Sequence, residues 1–280
     1  EEFQSFLLTM LLGILHDLQA AGCVELTEDN KVRPTRLGEI ASFYYIQYHT
    51  VKLFADSVRA VDSIPALLQL VSSASEYDVE PVRHNEDQLL ETFSASIHWQ
   101  VPEGSDFNDP HLKVFMLLQG FMQRLPLPIT DFVNDQNSVM DNSIRLINAL
   151  ADIAFELQLS GPLWQVMTAM PFLIQGLMPF DSQLLQLDGV DPALVKRLNK
   201  EGVVELKDLR GKSEKDILAV LNRCRCEKGL ASRIAKSFLN LPELQLRVEL
   251  TDAGAVLGAP LVLLAEKEYV LQADLQLARA

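Results

Sequence analysis

Apolar residues recur at three- and four-residue intervals from the N-terminus to about Leu239. From Leu244 they recur at every second position. The first spacing predicts helices and the second predicts strands. Phe3, Phe6, Leu7, Met10, Leu11, Ile14, Leu15 and Leu18 form one helical stripe, which Gly22 closes. Val24-Glu25-Leu26 and Lys31-Val32-Arg33 flank Glu28-Asp29-Asn30 and predict a small hairpin. Thr35 then serves as the N-cap of a helix through Ile40, Phe43, Tyr44 and Tyr48. A helix followed by a hairpin is how a winged-helix domain ends.

Further helices are predicted over 52–60, 64–73, 84–97, 110–124, 134–157 and 163–178. Pro65 sits in the first turn of one, Pro126 and Pro128 stop another, and Pro171 marks a kink in the last. Residues 75–81 read as a loop, and 134–157 is the longest uninterrupted helical pattern. From Leu184 the elements shorten. Leu187-Asp188-Gly189-Val190-Asp191-Pro192 reads as a tight turn between two short helices, with more short helices over 213–224 and 230–239. The alternation at Leu244, Leu246, Val248 and Leu250, and again at Tyr269, Leu271, Ala273, Leu275 and Leu277, predicts an antiparallel sheet with one buried face. Two or three strands are too few to close a sandwich. The fold class is therefore mainly α, with a partial antiparallel β segment at the end.

Composition narrows the function classes. The chain has 280 residues, 48% of them hydrophobic, enough to build sizeable cores. No apolar run reaches the roughly 18 residues of a spanning helix, and no basic, apolar leader is present, so a membrane is not an expected partner. Cys23, Cys224 and Cys226 offer neither a disulfide framework nor a zinc box, which fits a reducing compartment, nuclear or cytoplasmic. Net charge is −14, against a general nucleic-acid binder. Between Ala193 and Lys236, however, twelve Lys/Arg face six Asp/Glu, a local +6 that leaves −20 for the remainder. One anion-facing segment thus sits inside an acidic frame.

Catalytic motifs do not assemble. Gly211-Lys212-Ser213 imitates the end of a P-loop, but the required first glycine falls on Leu206 and no strand precedes it, so ATP binding there is rejected. His16, His49, His84, His98 and His111 are scattered without metal-ligand spacing. Arg83-His84-Asn85-Glu86-Asp87 reads as a charged helix start, with Asn85 or Asp87 as cap. Cys224-Arg225-Cys226 reads as two structural thiols, and no nucleophile lies in a G-x-S-x-G setting.

Several segments carry a resemblance. Residues 35–46, Thr-Arg-Leu-Gly-Glu-Ile-Ala-Ser-Phe-Tyr-Tyr-Ile, resemble the end of the winged helix in Ski-two-like helicases, where it enters their Sec-sixty-three homology unit. Ser75-Glu76-Tyr77-Asp78 with 81–87, then Leu117-Leu118-Gln119, then 138–145, agree in order, so that the segments run from residue 35 to 145. The first two are specific; the others are weak alone. The resemblance implies a winged-helix end over 1–48, a helical bundle over 49–183, a helix-hairpin-helix over 184–241 and a truncated fibronectin-like segment over 242–280. It also implies a non-catalytic accessory module behind a RecA motor. ATP and magnesium would belong to that motor, and this segment needs no cofactor of its own. The expected partners are single-stranded RNA or DNA, the motor domains and other subunits of a large complex.

Two constellations carry the expected contact. Ser138, Asp141, Arg145, Asn148 and Asp152 fall at spacings of 3, 4, 3 and 4, opposite Val139, Leu146, Leu150, Ile153 and Leu157. Periodicity alone makes this an ordinary amphipathic helix. By resemblance it is the ratchet helix that lies across the helicase channel, with Arg145, Asn142, Asn148 and Ser138 touching the strand. Lys196, Arg197 and Lys200 follow the 187–190 turn within two helical turns and support that contact. Backbone amides at such a helix start can hold a phosphate, although Asp188 and Asp191 in the turn oppose one. The rival readings are a protein-interaction platform, favoured by the acidic frame, and a translocation factor sharing the homology unit, which would need membrane spans and a J-domain.

Overall fold

The computed structural model describes residues 2–28, 31–252, 255–256 and 267–279. Of the expected hairpin turn, Asp29 and Asn30 lie outside the described residues. The chain forms two compact units, residues 1–181 and 182–280. It is mainly helical, with a small antiparallel sheet at its C-terminal end.

In the first unit, α1 (Glu2–Ala20) leads into a hairpin of β1 (Val24–Leu26) and β2 (Val32–Pro34), paired Val24 to Pro34 and Leu26 to Val32. The stripe on α1 is helical as expected but mostly exposed: Phe3, Phe6, Leu8 and Leu11 face outward, and Leu18 joins the core. Then comes α2 (Arg36–Tyr44). Thr35 caps it by accepting from the Gly38 amide at 3.1 Å, while its hydroxyl donates to the Gly22 carbonyl. Gly38 has a steric reason to be glycine, because a Cβ there would collide with the Cys23 carbonyl oxygen.

The bundle follows as α3 (Tyr48–Ser57), α4 (Ile64–Ser72), α5 (Glu86–Ser94), α6 (Pro110–Met122), α7 (Thr130–Glu156) and α8 (Ser160–Gln175). Several boundaries differ from the sequence expectation. The first of these helices starts earlier, at Tyr48, because the Glu76 carboxylate accepts from the Gln47 amide at 2.7 Å and from the Thr50 hydroxyl. Its end tightens into a 3-10 turn over Val58–Ala60. The α5 segment is shorter than 84–97, and α7 begins at Thr130 with Asp131 in its first turn, where the helix dipole favours an acid. Pro171 lies inside α8.

The expected loop at 75–81 contains a 3-10 turn, Ser75–Tyr77, whose tyrosine is fully buried. The Tyr77 hydroxyl meets the Ser143 Oγ at 2.9 Å and donates to the Val139 carbonyl at 3.1 Å. The core gathers Val51, Phe54, Leu67, Leu118, Phe132, Leu146, Leu150 and Ile153, all essentially inaccessible.

The second unit opens with a 3-10 turn, Gln183–Gln186, followed by α9 (Pro192–Lys200), α10 (Glu214–Arg223) and α11 (Lys228–Leu239). Leu187, Leu194, Leu198, Ile217, Leu221 and Ile234 form a separate core. The sheet has the order β4-β3-β5, from β3 (Glu243–Asp252), β4 (Ala255–Val256) and β5 (Val270–Arg279). Leu246 pairs with Leu275 and Leu250 with Leu271, so the period-two leucines share one face. Leu244, Leu246, Leu275 and Leu277 on that face are exposed.

Candidate nucleic-acid interface

The two stripes expected to meet a strand have different surroundings. On α7 the buried ridge runs through Phe132, Asp135, Val139, Ser143, Leu146, Leu150 and Ile153, at steps of three and four. This ridge anchors the helix in the bundle. The polar stripe lies on another face, and most of its members bond to the chain itself.

Ser138 donates to the Glu80 carboxylate at 2.8 Å. The Arg145 guanidinium donates to the Tyr45 carbonyl at 2.8 Å, to the Tyr44 carbonyl at 3.4 Å and to the Asn142 Oδ1 at 2.5 Å. The Asn142 and Asn148 amides bond back to the Ser138 and Ile144 carbonyls of their own helix. Asp152 accepts from the Tyr44 hydroxyl at 2.8 Å. Burial, helped by this bond to Asp152, pushes the Tyr44 phenol up to about 12.

Tyr44 is the last residue of α2, and Tyr45 closes that helix in the left-handed conformation, φ 53°. The last carbonyls of a helix have no partner within it. Arg145 fills two of those vacancies with a charged donor, so the stripe holds α2 against α7. Asp141 is exposed and, among the described residues, makes no such bond. The sequence placed these residues on one face; it carried no signal that α2 would cover part of it.

On α9, Lys196, Arg197 and Lys200 are exposed, and among the described residues none of their side chains forms a hydrogen bond or ion pair. The opposite face, Leu194, Val195 and Leu198, is buried. Asp191 caps α9 by accepting from the Leu194 amide at 2.6 Å. That carboxylate occupies the helix start a phosphate would use, so the three cations, rather than the amides, are the groups open to an anion. Gly189 holds the turn at φ +84°, and a Cβ there would strike Leu230 of α11. The positive φ explains the glycine without a ligand.

A cluster that sequence reasoning missed lies inside the bundle. Lys113 of α6 is buried and donates from Nζ to Glu86 and Asp135, each at 2.7 Å, and to the Pro81 carbonyl at 2.6 Å. Arg83 reaches the same two carboxylates, at 2.8 Å to Glu86 and 2.7 Å to Asp135. Two cations and two anions therefore satisfy one another. Burial pushes the Glu86 carboxyl up, but the hydrogen bonds from Lys113 and Arg83 outweigh it and hold the group below its ordinary value. Asp135 is likewise pushed up by burial and held lower by Arg83 and Lys113.

The expected capped start at 84–87 is thus corrected. Asn85 precedes α5 in the left-handed region, φ 66°, with no side-chain cap bond, and Glu86 points into the cluster. The sequence clue was a lysine in the apolar run of α6; its partners lie 22 and 27 residues away and could not be read from spacing.

The family described as the Sec63 Brl domain matches residues 34–277. The activating signal cointegrator 1 complex subunit 3 of Dictyostelium discoideum is 37% identical over 191 residues, 68% of this chain and 9% of that protein. The DExH-box ATP-dependent RNA helicase DExH14 of Arabidopsis thaliana is 34% identical over 254 residues, 89% of this chain and 11% of that protein. The human U5 small nuclear ribonucleoprotein 200 kDa helicase is 29% identical over 255 residues, 91% of this chain and 12% of that protein. The chain spans about a tenth of the length of these relatives. Among the described residues, no helix is long and apolar enough to cross a membrane.

Proposed function

Since the chain belongs to the Sec63 Brl domain family, we propose that it is a non-catalytic accessory module of an ATP-dependent nucleic-acid helicase and helps to guide the unwound single strand. The observation that carries this reading is the pair of unpartnered stretches of cation on one short helix: Lys196 and Arg197, then Lys200, all exposed and unpaired among the described residues. In this reading they hold phosphates, and the backbone contact is independent of sequence. ATP and magnesium act in the motor domains, which are also its partners. The polar stripe of α7 serves the same purpose less directly. Arg145, Asn142 and Ser138 fix α2 and the Glu80 loop, and Asn148 is the neutral group of that face left to meet the strand.

The test is strand unwinding by the parent helicase. Replacing Lys196, Arg197 and Lys200 together by alanine should slow unwinding and weaken single-strand affinity. Replacing Arg145 and Asn148 together should loosen α2 through Arg145 and remove the Asn148 contact with the strand. Unwinding and affinity unchanged in both variants would refute strand guidance.

A second reading, a protein-interaction platform, is favoured by how charge divides. Residues 1–181 hold nine Lys/Arg and twenty-four Asp/Glu, a net −15, whereas 182–280 hold fifteen and fourteen. A surface that acidic repels polynucleotides and suits basic protein partners. The two readings are compatible, because the phosphate-holding cations of α9 lie in the second unit and the acidic excess lies in the first.

A further inference from the structure

The corner where α7 meets α8 carries an open apolar groove of about 510 Å3, lined by Phe155, Glu156, Leu159 and Leu163 among others. Phe155 is 70% exposed and Trp164, on the adjoining turn of α8, is 69% exposed. The whole of α8, Ser160–Gln175, contains no charged residue. Beside this groove lies a second depression of about 380 Å3, lined by Arg36, Glu39, Phe43 and Asp152. Arg36 links the two, with its Nε 3.9 Å from Glu156 and its guanidinium 2.7 Å from Glu39. Three carboxylates, Glu39, Asp152 and Glu156, therefore surround one cation at the edge of an exposed aromatic surface.

We propose that this corner docks a basic amphipathic segment of a partner protein, an apolar anchor flanked by lysine or arginine. The apolar anchor would bury against Phe155 and Leu163 beside an uncharged helix, with Glu156 at the rim of the groove. The flanking cations would meet Glu156 and Asp152, whose negative charge Arg36 only partly offsets. Charge complementarity excludes an acidic segment and disfavours a polynucleotide phosphate. Helix-in-groove recognition uses this combination of apolar anchors and polar flanks. The inference rests on the platform reading of the first unit and adds the place and the partner's chemistry.

The test uses the 280-residue chain and a fluorescent amphipathic helical peptide of leucine and lysine, with a leucine and glutamate peptide as control, read by anisotropy. The leucine-lysine peptide should bind and the control should not. Phe155→Asp should weaken binding by about tenfold. Trp164→Ala should weaken it several-fold, and Glu156→Gln should flatten its salt dependence; circular dichroism checks that each variant stays folded. Binding retained in Phe155→Asp and Trp164→Ala overturns this surface while leaving the platform reading standing. No binding of the lysine peptide overturns both. An oligouridylate that binds the same corner, and is lost with Phe155→Asp, also overturns the assignment.

Discussion

Helices α7 and α9 each set a polar face against an apolar one, yet they use their polar groups differently. On α7, Ser138, Asn142, Arg145 and Asp152 all bond within the chain, and Arg145 closes the end of another helix. On α9, Lys196, Arg197 and Lys200 are exposed and unpaired among the described residues. A polar stripe is therefore not a ligand face by virtue of its periodicity. What separates the cases is where the partners are: an arginine facing unsatisfied carbonyls is already employed, and a lysine facing water is available. The contrast belongs to the helix and not to the unit: the first unit spends Arg83, Lys113 and Arg145 internally, and the second likewise pairs Arg210, Arg223 and Arg233.

The largest effect should come from the buried end of α7. Lys113→Met leaves Glu86 and Asp135 with Arg83 alone, in a site where both carboxylates are buried. Removing one partner of a buried ion pair costs about 3–5 kcal/mol, measurable by urea denaturation. A loss under about 1 kcal/mol, the scale of a surface pair, would erase the distinction between an employed face and a free one.

The same cluster sets the acid response. Glu86 and Asp135 titrate below their ordinary values when folded. Their contribution is thus complete above the unfolded-state pKa of about 4 and disappears as pH falls through the lower folded values. Acid unfolding followed by circular dichroism should begin below about pH 4, and Asp135→Asn should shrink that acid-dependent loss. A wild-type chain whose stability is flat from neutral pH to well below that range would contradict the assignment.

Arg145→Ala should come next, at about 1–2 kcal/mol for loss of charged hydrogen bonds at a half-exposed site. Amide exchange should quicken around Tyr44 to Ile46, where α2 ends. Arg145→Lys should restore little, since a single ammonium cannot reproduce the guanidinium's reach to Tyr45 and Asn142 together. The smallest effect belongs to α9. Alanine at Lys196, Arg197 and Lys200 should change stability by no more than about 0.5 kcal/mol, as expected of surface positions without partners.

Much of the fold was legible because its signals are local. The stripe on α1, Thr35 as cap, the proline-limited α6 and the alternating leucines of β3 and β5 each declare themselves within one element. Boundaries moved where a distant side chain acted, as when Glu76 extended α3 back to Tyr48. The exposure of Phe3 and Phe6 could not be read either, because a stripe shows which face is apolar and not what covers it. At the candidate site, the sequence identified Arg145 and the α9 cations as residues but not their surroundings. Arg145 meets carbonyls about a hundred positions away, and Lys113 sits in an apolar run that gives no sign of its partners. The quoted family segments prove to be staples of the bundle. Glu76 caps α3, Tyr77 plugs the core, Asp78 lies 3.0 Å from the His111 ring, and Arg83 with Glu86 closes the buried cluster.

In the proposed function the cations of α9 supply the contact with a single strand. That contact is tested most directly by the salt dependence of oligouridylate binding to this chain. Each phosphate neutralised on a single strand contributes about 0.7 to the slope of log affinity against log salt. Alanine at Lys196, Arg197 and Lys200 should lower the slope by about 2 and leave the fold intact, while Arg145→Ala leaves it unchanged. A slope that survives the triple substitution and falls with Arg145→Ala would move the contact to α7 and contradict the account.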